Sequence, residues 1–476
     1  MEALSVFAAA REALDRVAVV SDRGELTFGA LAEAASASLL CVAERGPGPV
    51  AFVAEPTVET VILIAALLEA GRAMVPLHPR WTEAERRRAL SLLEEDVVLV
   101  DPFEVARADA RVVAPAAGPS PPPDAVQAVL FTSGSAGRPK AVLLERRALA
   151  ASARAHAENL PFRPDDRWLA AMPLAHAGGL SIVTRALASR TAVALAPRFE
   201  PAEIADRVAA SRVTLASFVP AMLHAALEHR AGAALSTLRA ILVGGAAFPR
   251  GLRERAQGAG IRALATYGLT ETASQIATQR PTSTLALASV RVGAPLTGAR
   301  IEIRDAAGEP RRAGGRGAIW VSGPMLMRGY AGAPPLAPGA WLDTGDEGSI
   351  DEDGVLSVFG RADDTIVTGG ENVDPSEVEA ALAAVAGVRD VAVFGVADAV
   401  WGHVVAAALV LDAGVEPRAV CDAALSGLAS FKRPRLVAVL EALPRTATGK
   451  IDRRAVTAAA AATLAPVREP ATRARP

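Results

Sequence analysis

Thr132-Ser133-Gly134-Ser135-Ala136-Gly137-Arg138-Pro139-Lys140 gathers hydroxyls, glycines and a lysine in one short stretch. It follows an apolar run, Ala125 to Phe131, that predicts a strand. Such a loop suits a polyphosphate. Backbone N–H groups and hydroxyls donate hydrogen bonds, and the lysine supplies positive charge. It is not a Walker A loop, because no Gly-Lys-Ser/Thr follows at the required distance. Nor is it a nucleophile elbow, since Ser133 stands where Ser135 would need a glycine before it. A polar surface turn has the same composition, and the loop alone does not separate the two.

The elements around it predict what would hold such a loop. Thr57 to Ala70 reads as a buried helix ended by Gly71, with a buried strand from Ala73 to Leu77. The alternation recurs: Pro201–Ser211 precedes Val213–Val219, and Ala221–Glu228 precedes Leu238–Val243. Parallel sheets covered by helices are expected. Gly118 to Pro123 is a stiff, proline-rich connector. After about Arg300 the pattern becomes antiparallel: Ile301 and Ile303, then Ile319 and Val321, alternate with polar neighbours, and Asp353–Gly354 marks a hairpin turn. A small barrel-like region fits that stretch. In the C-terminal part, Asp374 and Pro375 open a helix carrying an apolar stripe, Val378, Ala381, Leu382 and Val385. Strands Val391–Val396 and Val404–Leu411, a helix Arg418–Leu428 and a strand Leu436–Leu440 follow. The Ala-, Pro- and Arg-rich tail after about Ala459 is expected to fray. The fold class is thus α/β: a large N-terminal domain (1–360) of helix-covered β-sheets plus a small β-barrel-like region, and a small α+β C-terminal domain (364–476).

Composition narrows the function classes. The 476 residues are 51% hydrophobic and 21% charged, enough to bury a large core. The longest strongly apolar run, Val61 to Leu68, is far short of the roughly 20 residues of a spanning helix. No basic start or signal peptide is read at the N-terminus, so a cytoplasmic location and no membrane insertion are expected. A net charge of −2, with scattered arginines, provides no electrostatic basis for nucleic-acid binding. The two cysteines, Cys41 and Cys421, form no metal-type spacing and read as small hydrophobes. A homodimer is compatible with the sequence.

The loop at 132–140 resembles the phosphate loop of the adenylate-forming superfamily: acyl-CoA synthetases, peptide-synthetase adenylation domains and luciferases. Four further segments match in the family's order. Tyr267-Gly268-Leu269-Thr270-Glu271 resembles its adenine and metal motif, and Thr344-Gly345-Asp346 its ribose motif. Gly360-Arg361-Ala362-Asp363-Asp364 resembles its hinge, and Pro444-Arg445-Thr446-Ala447-Thr448-Gly449-Lys450 the loop with its catalytic lysine. One departure is Ala136, where the family usually has a second threonine; it removes one hydroxyl but no charge.

The resemblance implies ATP, Mg²⁺ and coenzyme A as reactants, and a role for each matched residue. Thr132, Ser133, Gly134, Ser135, Gly137 and Lys140 would hold the phosphates. Glu271 would ligate Mg²⁺, a hard cation that takes oxygen donors, with Thr270 beside it at the catalytic centre. Gly244, Gly245 and Ala246 would lie along the adenine, with Tyr267 packed on the base and Gly268 next to it. Asp346 would accept the ribose hydroxyls, with Arg361 nearby. Lys450 would bridge carboxylate and α-phosphate and stabilise the charge that builds between two anions. The C-terminal domain would be mobile about a hinge at 361–363, centred on Asp363, and would open a CoA path at Gly369 and Gly370. A lone glutamate is ordinarily a solvated surface carboxylate, and a lysine near a C-terminus a solubilising group; motif context singles out Glu271 and Lys450.

The acid is suggested by two further stretches, Met172 to Ile182 and Tyr267 to Ile276, which resemble the o-succinylbenzoate–CoA ligases of menaquinone biosynthesis. His176, Gly179, Ser217 and Thr272 are the expected acyl-pocket residues; a structural histidine is the plainer account of His176. Gly178 departs from the serine common in that group. The expected reaction joins a small-molecule carboxylic acid to CoA through an acyl-adenylate. The alternatives are another aryl- or acyl-CoA ligase, or a stand-alone adenylation enzyme that loads a carrier protein; no carrier segment is read after Lys450. On this reading Lys450→Ala abolishes adenylate formation, measured by pyrophosphate exchange. It spares thioester formation from supplied acyl-adenylate.

Overall fold

The computed structural model describes residues 2–106, 120–132, 139–246, 248, 250–282, 291–361, 365–424, 427–444, 451 and 453–467. The chain divides into two compact units: Met1–Pro79, Leu90–Phe131 and Ala141–Ala362 form one, and Arg80–Ala89, Thr132–Lys140 and Asp363–Pro476 the other. No helix among the described residues is long and apolar enough to cross a membrane.

The first unit is built on parallel strands. Arg167–Ala170, Ala192–Leu195, Leu215–Phe218, Ala240–Val243 and Ala263–Leu269 are joined in parallel. Three of them, Ala192–Leu195, Leu215–Phe218 and Ala240–Val243, are buried at every position. That burial explains their apolar sequences, broken only by Ser217, since alternate residues pack into two separate core clusters. A second sheet holds Val50–Val53, Met74–Leu77 and Val126–Thr132, with Gly329–Tyr330 added antiparallel to Lys140–Glu145 at its edge. The antiparallel stretch expected after Arg300 is present, with Ile301 opposite Val321 and Ile303 opposite Ile319. Hydrogen bonding carries it on into the long sheet through Arg291–Pro295 and Ser274–Thr278. The hairpin turn falls at Gly354, φ +74°.

The helix Val58–Ala70 shows how local sequence and packing agree. Thr57 Oγ1 accepts from the N–H of Thr60 at 3.2 Å, and Gly71 ends the helix in the left-handed region at φ +65°. The C-terminal carbonyls are buried and need donors. Gln127 Nε2 donates to Leu67 O (3.0 Å) and Arg72 O (2.8 Å), and Arg146 Nη1 donates to Leu68 O (2.6 Å). Arg146 also donates to Gln127 Oε1 at 3.0 Å.

In the second unit, Val388–Asp398 and Gly402–Leu411 form a long antiparallel pair. Leu436–Val439 adds in parallel beside Gly402–Leu411. Two expectations change here. The helix placed at Arg418–Leu428 spans Pro417–Ala424. The tail does not fray at Ala459: Arg453–Ala460 is a helix, and Ala465–Pro466 pairs with Leu436 and Val437. The reason is apolar burial, since Val456 and Ala460 pack with Val410, Ala438 and Leu443. The helix Glu83–Leu90 is tied into the same unit by Glu85. One carboxylate oxygen accepts from Thr82 N at 2.9 Å; the other accepts from Lys432 Nζ at 2.9 Å and Ala429 N at 3.2 Å. Cys421 is buried, which pushes its thiol up to about 11, and Cys41 is half-buried; both are free thiols.

A Cβ at Gly71 would lie 2.7 Å from Pro121 Cβ, in a backbone conformation that side chains disfavour. Gly71→Ala should therefore lower stability by more than about 1 kcal/mol. The denaturant midpoint would show it, with pyrophosphate exchange per folded molecule unchanged.

Candidate active site

The strand Ala263–Leu269 runs into a single 3₁₀ turn, Thr270–Thr272, and returns as Ser274–Thr278. Ala273 and Ser274 both take positive φ, +50° and +99°. Neither is glycine, so the turn is costly and must be held. Thr272 holds it. Its fully buried hydroxyl accepts from Leu269 N at 3.0 Å and lies 3.0 and 2.8 Å from the carbonyls of Leu269 and Ser274, to which it donates. Thr272 is one of the residues expected in the acyl pocket; its hydroxyl is taken up by these backbone groups. Gly268 is required by the same hairpin, since a Cβ there would sit 1.8 Å from Ser274 O.

This turn presents Glu271, half-buried, between Thr270 and Thr272. Tyr330 Oη donates to Glu271 Oε1 at 2.9 Å, and Met327 N donates to the Glu271 carbonyl at 2.8 Å. One turn earlier, Tyr267 Oη donates to Asp346 Oδ2 at 2.6 Å. Asp346 is buried on the strand Leu342–Ile350, opposite Arg361 in register. The two tyrosines of the chain therefore each donate to one of the two matched carboxylates. Gly244 lies beside the strand Ala263–Leu269, where a Cβ would meet Thr266 Cγ2 at 2.6 Å; Gly245 follows at φ +75°, then Ala246.

Deeper in the same unit lies a group of residues that the sequence motifs did not mark. His156, Trp168 and Arg185 are all buried. Arg185 Cζ is 5.7 Å from the Trp168 ring centroid, and the His156 ring is 5.0 Å from it. Among the described residues, Arg185 Nε and Nη2 have no hydrogen-bond partner, nor does His156 Nε2; all three atoms are buried. Burial lowers the Arg185 guanidinium to about 9. Burial first, then the charge of Arg185, hold His156 well below its ordinary value, opposed by its hydrogen bond to Gln275. That bond, Nδ1 to Gln275 Oε1, is 2.8 Å long, and Gln275 Nε2 donates to Thr266 Oγ1 at 3.0 Å. Ser217, expected in the acyl pocket, accepts from Trp168 Nε1 at 3.1 Å and so belongs to the floor of this group.

Residues 6–331 match the AMP-binding enzyme family, and residues 377–450 match the C-terminal domain of AMP-binding enzymes. The chain belongs to the AMP-binding enzyme family. It is 33% identical over 461 residues to the 2-succinylbenzoate–CoA ligase of Bacillus licheniformis, covering 92% of this chain and 96% of the relative. Among solved structures it is similar to the o-succinylbenzoate CoA synthetase of Bacillus subtilis, a double mutant bound with a product analogue: TM-score 0.86, 30% identity, 95% of this chain and 98% of that one. It is also similar to an amide bond synthetase from Marinactinospora thermotolerans: TM-score 0.84, 28% identity, 95% and 99% covered.

For this AMP-binding enzyme, the remaining expected residues are distributed as follows. Ser133, Gly134, Ser135, Gly137, Asp363 and Lys450 lie outside the described residues. Thr132 ends the strand Val126–Thr132, and Lys140 is exposed at the start of Lys140–Glu145. His176 is at the N-cap of the helix Ala177–Ser189, its ring 5.1 Å from that of His78. Gly179 is buried, and a Cβ there would meet Pro173 O at 2.1 Å, so it permits helix packing and offers no side chain to a ligand. Gly369 and Gly370 form the hairpin turn between Ile366–Thr368 and Glu371–Val373, at φ +59° and +84°. A Cβ on Gly369 would strike Trp401 at 2.5 Å. Arg185 had one available signal, a lone charge inside the otherwise uncharged run Ala177–Ser189. His156 had none.

His156 makes stability depend on pH. Its folded value is depressed below 6.5, so below about 6.5 the unfolded chain binds the proton the folded protein refuses. Stability is intact above that value and falls on acidification, by up to about 1.4 kcal/mol per pH unit. His156→Asn should flatten this acid limb, read as the denaturant midpoint from pH 7 to pH 5.

Proposed function

We propose that the protein is an ATP-dependent 2-succinylbenzoate–CoA ligase that forms an acyl-adenylate and then the thioester, acting in the cytosol in menaquinone biosynthesis. The observation that carries the acid assignment is Arg185: a fully buried guanidinium beside the Trp168 ring, with two nitrogens that have no hydrogen-bond partner among the described residues. A buried charge without a counter-charge is unfavourable by several kcal/mol. o-Succinylbenzoate has two carboxylates, one to be activated and one that must be held. A guanidinium offers a carboxylate parallel N–H donors in matched geometry. The second carboxylate satisfies Arg185, and the Trp168 ring beside it suits an aromatic acid. His176, at the head of the helix that carries Arg185, faces the acyl group.

The reacting carboxylate attacks the α-phosphorus of ATP and pyrophosphate leaves. Lys450 bridges the two anions and stabilises the charge between them. Thr132, Ser133, Gly134, Ser135, Gly137 and Lys140 hold the departing phosphates. Gly244, Gly245, Ala246, Tyr267 and Gly268 receive the adenine. Asp346, oriented by Tyr267, accepts from the ribose hydroxyls, with Arg361 nearby. Glu271, with Thr270 beside it, fits Mg²⁺: a half-buried carboxylate held by a phenol is an oxygen donor of the kind this ion takes. The ion, when bound, neutralises phosphate charge. The C-terminal domain turns about Asp363, and the thiol of CoA enters past Gly369 and Gly370.

The experiment is a carboxylic-acid panel read by AMP release with and without CoA. Arg185→Met should lower kcat/KM for o-succinylbenzoate by about 100-fold or more, the scale of an unpaired buried charge. It should leave benzoate turnover unchanged or improved. Equal loss on both acids refutes the assignment. AMP release sustained by an amine in place of CoA would favour chemistry like that of the amide bond synthetase.

A further inference from the structure

Glu271 is the residue read above as a metal ligand, and the inference rests on that reading. Its carboxylate does not stand alone. Tyr330, 59 residues further along the chain, donates its phenolic O–H to Oε1 at 2.9 Å. The backbone on either side is fixed as well. Met327 N donates to the Glu271 carbonyl at 2.8 Å, and Gly329–Tyr330 pairs with Leu143 and Val142 of the strand Lys140–Glu145. The Tyr330 ring packs against the main hydrophobic core, so its hydroxyl is delivered from a fixed position. The segment 327–330 thus grips Glu271 at both its main chain and its side chain.

We propose that Tyr330 is a positioning residue for the metal site: its hydrogen bond to Oε1 sets the rotamer of Glu271 and directs the other carboxylate oxygen, Oε2, to the ion. The physical basis is general. A carboxylate that binds a hydrated divalent ion through one oxygen has a wide choice of orientations. A neutral donor on the second oxygen removes most of that choice without competing in charge. Such outer hydrogen bonds are worth about 10- to 100-fold in metal affinity. A charged donor in the same place would neutralise the carboxylate and weaken the site. The donor here is a phenol, which keeps the net negative charge. Nothing in the motif 267–271 signals this partner, because Tyr330 lies on a different sheet.

Tyr330→Phe removes the hydroxyl and keeps the ring that packs on the core. The test is calorimetric titration of Mg²⁺ into the full chain saturated with a non-hydrolysable ATP analogue, beside titration of the analogue alone in chelator. The expected result is Mg²⁺ affinity weaker by about 10-fold in Tyr330→Phe, with metal-free analogue affinity as in the parent. Unchanged Mg²⁺ affinity overturns the proposal, and so does an equal loss with and without metal, which marks general loosening. Glu271→Gln run in parallel separates the two readings. If it loses Mg²⁺ binding while Tyr330→Phe does not, Glu271 remains the ligand and only the role of Tyr330 fails. If both bind Mg²⁺ like the parent, the reading of Glu271 fails.

Discussion

The hydroxyl of Thr272 closes a turn that the backbone alone would not adopt. Two successive non-glycine residues at positive φ are unfavourable by roughly 1–3 kcal/mol each, and one buried side chain with three short hydrogen-bond distances holds them there. What depends on the turn is the aim of Glu271. It also sets the bulged register in which Gly268 faces Gln275 and Tyr267 faces Ala277. Through Gln275 it reaches His156, and through Tyr267 it reaches Asp346. Glu271, Asp346 and His156 are thus linked through one hairpin.

The two tyrosines give that hairpin its polar connections. Each is half-buried, with its ring against apolar neighbours and its hydroxyl on a carboxylate. A phenol can orient an acid without cancelling its charge, which an arginine could not do. Arginines serve elsewhere in the fold. Arg146 closes the end of a buried helix, and in the second unit Lys432 engages Glu85 and Glu377 at 2.9 and 3.0 Å. Lys432 is matched by two carboxylates, whereas among the described residues only Nη1 of Arg146 has acceptors, and its charge is supported by nearby Glu69.

Arg185, like Arg146, has Nε and Nη2 buried without a partner among the described residues. It differs in that burial alone acts on its charge, with no described carboxylate such as Glu69 set against it. Interior packing normally satisfies buried donors, and on the proposed reading the second carboxylate of the acid would do so for Arg185. The neighbouring imidazole is kept neutral by burial and by that positive charge, so it adds polarity without a second cation.

The elements and the reaction class were legible in the sequence, because each rests on local chemistry. Apolar strands buried on both faces, Thr57 and Gly71 at the ends of one helix, and glycines where a Cβ would strike backbone are all short-range demands. The tail helix Arg453–Ala460 was not legible, since alanine-rich sequence reads alike whether exposed or packed; the apolar faces of Val410, Ala438 and Leu443 decided it. Thr272 and Ser217 carried the right type for a pocket, but the direction of a hydroxyl is set by which acceptors the fold brings near. Tyr330 at Glu271, and Arg185 beside Trp168 and His156, depend on strands and helices distant in sequence meeting in one unit. Sequence alone determined that this chain folds as an AMP-binding enzyme. Tertiary structure decided which polar atoms are satisfied within the protein and which are left for a ligand, because hydrogen-bond satisfaction depends on distances between elements that sequence spacing does not contain.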